Sequence, residues 1–394
     1  MRIALLTDGL FPYKIGGMQK HSLFLAAHLA KLGVEVDLYF VVDGNPAHLD
    51  LKPETLIEAE DHLKINYHAL SRPEVPYFPG HYLRQSYLIS KKLIAALQLN
   101  QPVDFIYAQG LTAWYPLQSK KKKLGLAPIG VNPHGLEMFQ LAGSWKAAMK
   151  QRMMRWAMSD NLKKAPFVFS LGEGMSKLLL DIGINEKNIL LSPNGIASGW
   201  MSREASAHHK PIQFLFVGRY EFRKGVEELH AVLRRLLDAN QPFVFHLVGP
   251  IPKEKRIEHP SLKYWGAIQD EKQLQSIFSS FDVLACPSHS EGMPTVILEA
   301  MARGLAVLAT DVGTVRSMVS PDNGWLIPPR SADALEAALM EAIHCPEEKL
   351  LKKKQYSLQK VRKNFLWEAV ANTTLREIER AITHWKKEQP GFRN

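Results

Sequence analysis

The chain has 394 residues, 46% hydrophobic and 22% charged, enough to bury sizeable cores and too long for one ordinary domain, so two domains are expected. Its 24 prolines and 25 glycines carry no collagen, repeat or low-complexity bias, and two cysteines, Cys286 and Cys345, exclude a disulfide framework and a thiolate metal cluster. A formal charge of +10, from 49 basic against 39 acidic residues, favours phosphorylated substrates, anionic lipid surfaces or polyanions without choosing among them.

The first apolar run ends at Asp8 after a few residues, too short for a signal-peptide core, and reads as a strand. No apolar stretch approaches the roughly 18 to 20 residues of a membrane span. With its cysteine usage, the expected location is cytoplasmic, with peripheral contact on the inner face of a membrane left open.

Strand patterns run Arg2 to Thr7, Val34 to Val42, Phe105 to Ala108, Ile129 to Asn132, Phe167 to Ser170 and Ile189 to Ser192, with a helix over Met18 to Lys31. The stretch Ala197 to Pro211 lacks periodicity and reads as a linker. Alternation then restarts: strand Ile212 to Val217, helix Lys224 to Asp238, strands Phe243 to Val248 and Leu262 to Gly266, helix Glu271 to Ser279, strand Asp282 to Cys286. Helix Met293 to Arg303, strands Ala306 to Thr310 and Gly324 to Ile327, and helix Ala332 to His344 follow, and Phe365 to Trp385 reads as one long amphipathic helix. The pattern predicts two doubly wound α/β units facing across a cleft, where ligands of open parallel sheets bind.

Five segments carry the chemistry. Ser288 to Gly304 sets Glu291 at a strand end and Glu299 eight positions on; a continuous helix would separate them by up to about 12 Å. Glycosidase carboxylate pairs work at about 5 to 9.5 Å, so two separate contacts to one extended ligand fit better. The amides of Gly292 and Met293 at that helix start suit an anion. Gly218, Arg219, Lys224 and Gly225 form the first strand-to-helix turn of the second unit, with both cations placed to reach a phosphate. Gly16 and Gly17 let backbone approach a ligand closely, while His134 and Glu137 could meet a sugar or an acceptor hydroxyl. Asn194-Gly195 reads as a turn. Each segment has an ordinary structural reading as well: helix cap, solvated cation, tight turn or core histidine.

In this order the segments resemble the retaining glycosyltransferases of the GT-B fold, family 4, also called glycosyl transferases group 1, over nearly the whole chain. The resemblance implies an N-terminal Rossmann-like acceptor-side domain (1–197), a linker (198–211), a Rossmann-like donor domain (212–364) and a C-terminal helix crossing back (365–394). It implies a nucleotide-diphosphate sugar donor whose diphosphate is met by Arg219 and Lys224, by amides after Glu291 and by the Gly16-Gly17 loop. Glu299 would hold the ribose, Glu291 the sugar hydroxyls, and His134 would sit by the reacting centre. The acceptor would be a glycan, a lipid-linked sugar or a small molecule in envelope or polysaccharide synthesis, with no cofactor, metal or nucleic acid required. The sequence departs from the family pattern at Gly292-Met293-Pro294, where a second glycine is usual. A nucleotide-sugar epimerase of the same fold and, from another class, a basic nucleic-acid binder are the competing readings; no helix-turn-helix, zinc-finger or aromatic RNA-binding pattern supports the second.

Finally, Trp145 to Trp156 mixes cations with Trp and Met, and Lys163, Lys164 and the run Lys120 to Lys123 extend the basic character. The ordinary expectation is that Met149, Met153 and Trp156 face the core while the cations are solvated; the alternative is an anionic membrane surface.

Overall fold

A computed structural model describes residues 1–48, 64–118, 125–139, 145–206, 208–268 and 270–388. The Lys120 to Lys123 run and the side chain of Glu137 lie outside what it describes. In the N-terminal half, strands β1 (Arg2–Thr7), β2 (Glu35–Val42), β3 (Ile65–Ser71), β4 (Phe105–Gln109), β5 (Ile129–Asn132), β6 (Phe167–Ser170) and β7 (Ile189–Leu191) form one sheet. Helices α1 (Gly17–Lys31), α2 (His81–Gln98), α3 (Trp114–Gln118), α4 (Trp145–Lys164) and α5 (Glu173–Ile182) lie between them. The C-terminal half contributes β8 (Ile212–Val217), β9 (Phe243–Val248), β10 (Leu262–Gly266), β11 (Val283–Cys286), β12 (Ala306–Thr310) and β13 (Gly324–Ile327). Its helices are α6 (Val226–Asp238), α7 (Glu271–Phe278), α8 (Thr295–Ala302), α9 (Val315–Met318) and α10 (Ala332–Ile343), followed by α11 (Glu347–Asn364) and α12 (Trp367–Glu388).

All pairings are parallel, in the orders β3-β2-β1-β4-β5-β6-β7 and β10-β9-β8-β11-β12-β13. Near-continuous burial along β1, β4, β8 and β12 is what a sheet covered on both faces requires. Each sheet reverses strand order once, at β1/β4 and at β8/β11. Crevices at those reversals, beyond the carboxyl ends of the strands, are where open α/β sheets bind ligands.

The chain crosses between the halves twice, and the crossings are joined: Ile196 N–H donates to Phe365 O (2.8 Å) and Trp367 N–H to Ile196 O (3.2 Å). Trp367 then stacks on Phe24 of α1, with Val370 and Ile378 buried beside it, so α12 packs against α1 and β7. The expected Phe365 helix therefore starts two residues later, because Phe365 and Leu366 make the crossing itself. The stretch read as a linker is docked rather than free. Trp200 is buried and donates to Glu271 (2.9 Å), and Ser202 N–H donates to Ala302 O. Lys354 of α11 bridges Ser206 (2.9 Å) and the buried Asp282 (3.0 Å). Helices α2 and α11 and strand β3 were not anticipated. Among the described residues, no helix is long and apolar enough to cross a membrane.

Candidate active site

The second sheet's reversal carries charge. After β8 the chain passes Gly218 and Arg219 into a single 3-10 turn, Phe222–Lys224, and Gly225 closes it at φ +66°. A Cβ on Gly225 would stand 2.0 Å from Pro287 O, so only glycine lets this turn press against the end of β11. His289 N–H donates to Arg223 O across the same contact (2.8 Å). Lys224 Nζ thereby lies 2.6 Å from Glu291 Oε1, which also accepts from Ser288 Oγ (2.8 Å), while Arg223 reaches Glu291 Oε2 at 3.5 Å. Glu291 is only 5% exposed, and its buried carboxyl group is met by two cations and a hydroxyl, as a polar group at that depth requires. Arg219 stands apart: 68% of its side chain is exposed and it pairs with Glu221 (3.0 Å). The cation beside Lys224 at Glu291 is Arg223, which sequence reasoning missed.

Glu291 and Glu299 do not share a helix. Glu291 through Pro294 is loop, and α8 begins at Thr295, so the expected eight-residue helical rise does not apply. The loop is anchored through its carbonyls. Gly292 O accepts from Thr314 N–H (2.9 Å) and Oγ1 (3.1 Å), and Met293 O accepts from Asn194 Nδ2 (3.0 Å). Among the described residues the amides of Gly292 and Met293 have no acceptor, and they precede the positive end of α8. Gly313, at φ +55°, lies under this loop, where a Cβ would be 2.2 Å from Glu291 O. Glu299 sits in α8 facing the other half. Burial pushes its carboxyl up to about 7 against the opposing pull of Lys20 from α1, with repulsion from Glu271 adding to the rise.

On the N-terminal side, Gly16 packs so closely on Gln19 that a Cβ would meet its Oε1 at 2.2 Å, and a Cβ on Gly17 would be 3.6 Å from His134 Nε2. His134 is held at φ +59°, its N–H donating to Asn132 Oδ1 (2.7 Å). Burial pushes its pKa down to about 4, and His21, whose ring centre is 5.1 Å away, is lowered by burial and by His134. Both imidazoles are neutral at pH 7. Beneath them a buried chain joins His21 to Tyr107 (3.3 Å), Tyr107 to Asn132 (2.6 Å) and Ser192 (3.2 Å), and Ser192 to Thr374 of α12 (3.0 Å).

The halves meet at the Glu291 loop. Glu173 N–H donates to Ser317 Oγ (3.3 Å), and a Cβ on Gly174 would be 2.0 Å from Gly313 O. Asn194, read from sequence as part of a plain turn, is 6% exposed and ties the first half to Met293. So Gly16, Gly17 and His134 stand on the N-terminal side of this meeting, and Gly218, Lys224, Glu291, Gly292, Met293 and Glu299 on the C-terminal side. Among the described residues no three His, Cys, Asp or Glu side chains gather as a metal site. A wider concavity of about 640 Å³, lined in part by His208, Gln241 and His344, lies at the amino edge of the second sheet, away from these groups.

Helix α4 corrects the ordinary expectation made for it. Trp145 is 72%, Met149 60% and Trp156 66% exposed, and Met153 is exposed next to Gly80; Ala157, Met158, Asn161 and Leu162 are buried. Lys164 is tied to Asp160 (2.8 Å).

Two family models together match nearly all of this chain: Glycosyltransferase Family 4 over residues 15–199 and Glycosyl transferases group 1 over residues 200–360. The chain is 35% identical over 130 residues to TuaC of Bacillus subtilis, a glycosyltransferase assigned to teichuronic acid biosynthesis; the match covers 33% of this chain and only about a third (32%) of TuaC. The solved sucrose-phosphate synthase of Thermosynechococcus elongatus superposes with a TM-score of 0.75 at 20% identity, covering 97% of this chain and 99% of that one. Anabaena HepE in complex with UDP superposes with a TM-score of 0.66 at 16% identity, covering 96% and 100%. These structural likenesses establish the two-domain fold.

Proposed function

We propose that this chain, which belongs to the group 1 and family 4 glycosyltransferases of the GT-B fold, moves a sugar from a nucleoside-diphosphate donor to a hydroxyl of a glycan, lipid-linked or small-molecule acceptor with retention of configuration. The observation that carries this reading is the Lys224–Glu291 contact at the β8/β11 reversal, beside the amides of Gly292 and Met293, which have no acceptor among the described residues. Lys224, Arg219 and these amides receive the diphosphate, Glu299 accepts from the ribose, and Glu291 accepts from donor-sugar hydroxyls. The acceptor oxygen forms its bond to the anomeric carbon on the face from which the phosphate oxygen departs. The anomeric C–O bond breaks with its electron pair going to the diphosphate, and the acceptor proton passes to that leaving oxygen. Neutral His134 positions the sugar rather than supplying charge. Catalysis is then orientation plus stabilisation of charge growing on the leaving group, and we propose that no divalent metal is needed for it. UDP bound by HepE supports a uridine donor as the first to try.

A thermal-shift panel of UDP, GDP and ADP with their glucose conjugates, run with and without chelator, tests this, because a ligand that binds the native state raises Tm. A chelator-insensitive shift with one nucleotide is expected. No shift with any would overturn the donor reading, and isomerised sugar from donor alone would favour the epimerase.

Peripheral contact with an anionic membrane belongs to the same proposal. It is supported by the exposed Trp145, Met149 and Trp156 interleaved with Lys150, Arg152 and Arg155, and by the exposed Tyr77 and Phe78 on the segment that α4 abuts at Gly80. Apolar rings flanked by cations suit an anionic interface. Co-sedimentation with phosphatidylglycerol vesicles, but not with phosphatidylcholine ones, is expected at low salt and should weaken in Trp145→Ala; no binding to the anionic vesicles sinks it.

A further inference from the structure

The first sheet's reversal holds a second pocket, and it differs in kind from the charged one. It encloses about 170 Å³ at the carboxyl ends of β1 and β4, with Asp8, Met18, Ser86, Gln109, Thr112 and Met158 among its walls. Gln109, the last residue of β4, is 1% exposed, yet among the described residues neither its Nε2 nor its Oε1 has a hydrogen-bond partner. A buried primary amide with both ends unpaired is costly, and native structures rarely leave one without an occupant to satisfy it. Among the described residues no cation lines the pocket, and the nearby Lys14 is paired with Asp8 (2.8 Å). An anionic group would therefore meet a carboxylate and no compensating charge. Apolar Met18 and Met158 beside polar Asp8, Ser86 and Thr112 match a ring with C–H faces and a hydroxylated edge. An apolar cavity of about 150 Å³ admits benzene, so this volume is on the scale of one six-membered ring.

We infer that this pocket seats a neutral, hydroxylated sugar ring of the acceptor, and that Gln109 is the residue that selects it, its amide donating to one ring hydroxyl and accepting from its neighbour. The inference rests on the transferase reading above and names the acceptor's recognition element. Its position fits that role. Met18 of the pocket follows Gly17, which adjoins His134, and Lys20, one turn along α1 from Gly17, acts electrostatically on Glu299 across the cleft. One turn of α1 thus connects the pocket to the proposed donor site.

The test uses methyl α-glucoside, α-galactoside and α-mannoside and methyl N-acetyl-α-glucosaminide as probes, observed by saturation-transfer NMR on the full chain saturated with the nucleotide chosen by the thermal-shift panel. At least one glycoside should bind the wild type, and its Kd should rise at least tenfold in Gln109→Leu, while nucleotide Kd stays within twofold. Ser86→Phe, on the pocket wall and not bonded to Gln109, should abolish the same signal by filling the space, which covers the case of a poorly folded Gln109 variant. Wild-type affinity for the glycoside in Gln109→Leu, or no glycoside binding to a wild type that binds nucleotide, overturns the inference; in the latter case the pocket holds water. Failure of the wild type to bind any nucleotide overturns the donor reading instead, so the two failures are distinguishable.

Discussion

The two sheets share one topology and use it for opposite electrostatics. At β8/β11, Lys224 and Arg223 flank a buried Glu291, and just before α8 the amides of Gly292 and Met293 have no acceptor among the described residues. At β1/β4, the buried Gln109 carboxamide lines a pocket beside Asp8, and nearby His21 in α1 and His134 after β5 are imidazoles held neutral by burial. Strand order determines where a crevice forms, and the residues at the strand ends determine what enters it. The contrast suits the proposed reaction, in which a sugar leaves a charged diphosphate for the hydroxyl of a neutral alcohol.

The largest expected effect is on the charged side. Lys224→Ala removes the cation nearest a buried carboxylate and a donor to the proposed diphosphate. kcat/KM should fall roughly 10²- to 10³-fold, with a lowered Tm, since stranding one member of a buried pair costs about 3–5 kcal/mol. Steady-state kinetics and calorimetry read both, and near-wild-type transfer would erase the distinction between the two reversals. Next comes the contact between the halves. Gly174→Ala would place a Cβ 2.0 Å from Gly313 O, so transfer should drop about tenfold, equivalent to about 1.4 kcal/mol, with nucleotide affinity little changed. Equal losses in rate and nucleotide affinity would show that this contact shapes the donor site itself rather than its closure.

pH sharpens the comparison because the two sides titrate with opposite sign. His134 falls from 6.5 to about 4 on folding, so the unfolded chain binds more protons between those values. Its contribution is complete above about 6.5 and is lost as pH drops toward 4; His134→Asn should flatten that loss in a Tm series. Glu299 rises from 4.5 to about 7, so its contribution is complete below about 4.5 and is lost as pH climbs through 7, a loss that Glu299→Gln should remove. Slopes that both variants leave unchanged would contradict the burial assigned to these groups. The smallest effect is expected at Arg219. Being exposed, Arg219→Ala should leave stability within about 0.5 kcal/mol and raise donor KM less than tenfold, in a salt-dependent way. A larger, salt-insensitive loss would mean that Arg219 swings inward when the donor binds.

Alternating buried strands and amphipathic helices made the doubly wound halves legible from sequence, since burial on both faces leaves runs such as Ile3 to Leu6 and Phe214 to Phe216. Elements with mixed surfaces were not. Strand β3 carries Asn66 and His68, and half of α11 is charged, with two of its lysines, Lys353 and Lys354, among its buried positions. The ordered glycines and carboxylates of the site were readable as residue types. Which of Arg219, Arg223 and Lys224 reaches Glu291 was not, because that depends on a one-turn helix closed by Gly225 against Pro287. Nor could sequence show that Asn194 spans the two halves or that the Gln109 side chain is buried with no hydrogen-bond partner among the described residues. The sequence by itself determined the periodicities, the punctuation and the stock of chemical groups, because those follow from local backbone preference and from the burial each residue type seeks. Only the tertiary structure decided which groups meet, because contact across the cleft and burial without a partner are properties of packed surfaces far apart in the chain.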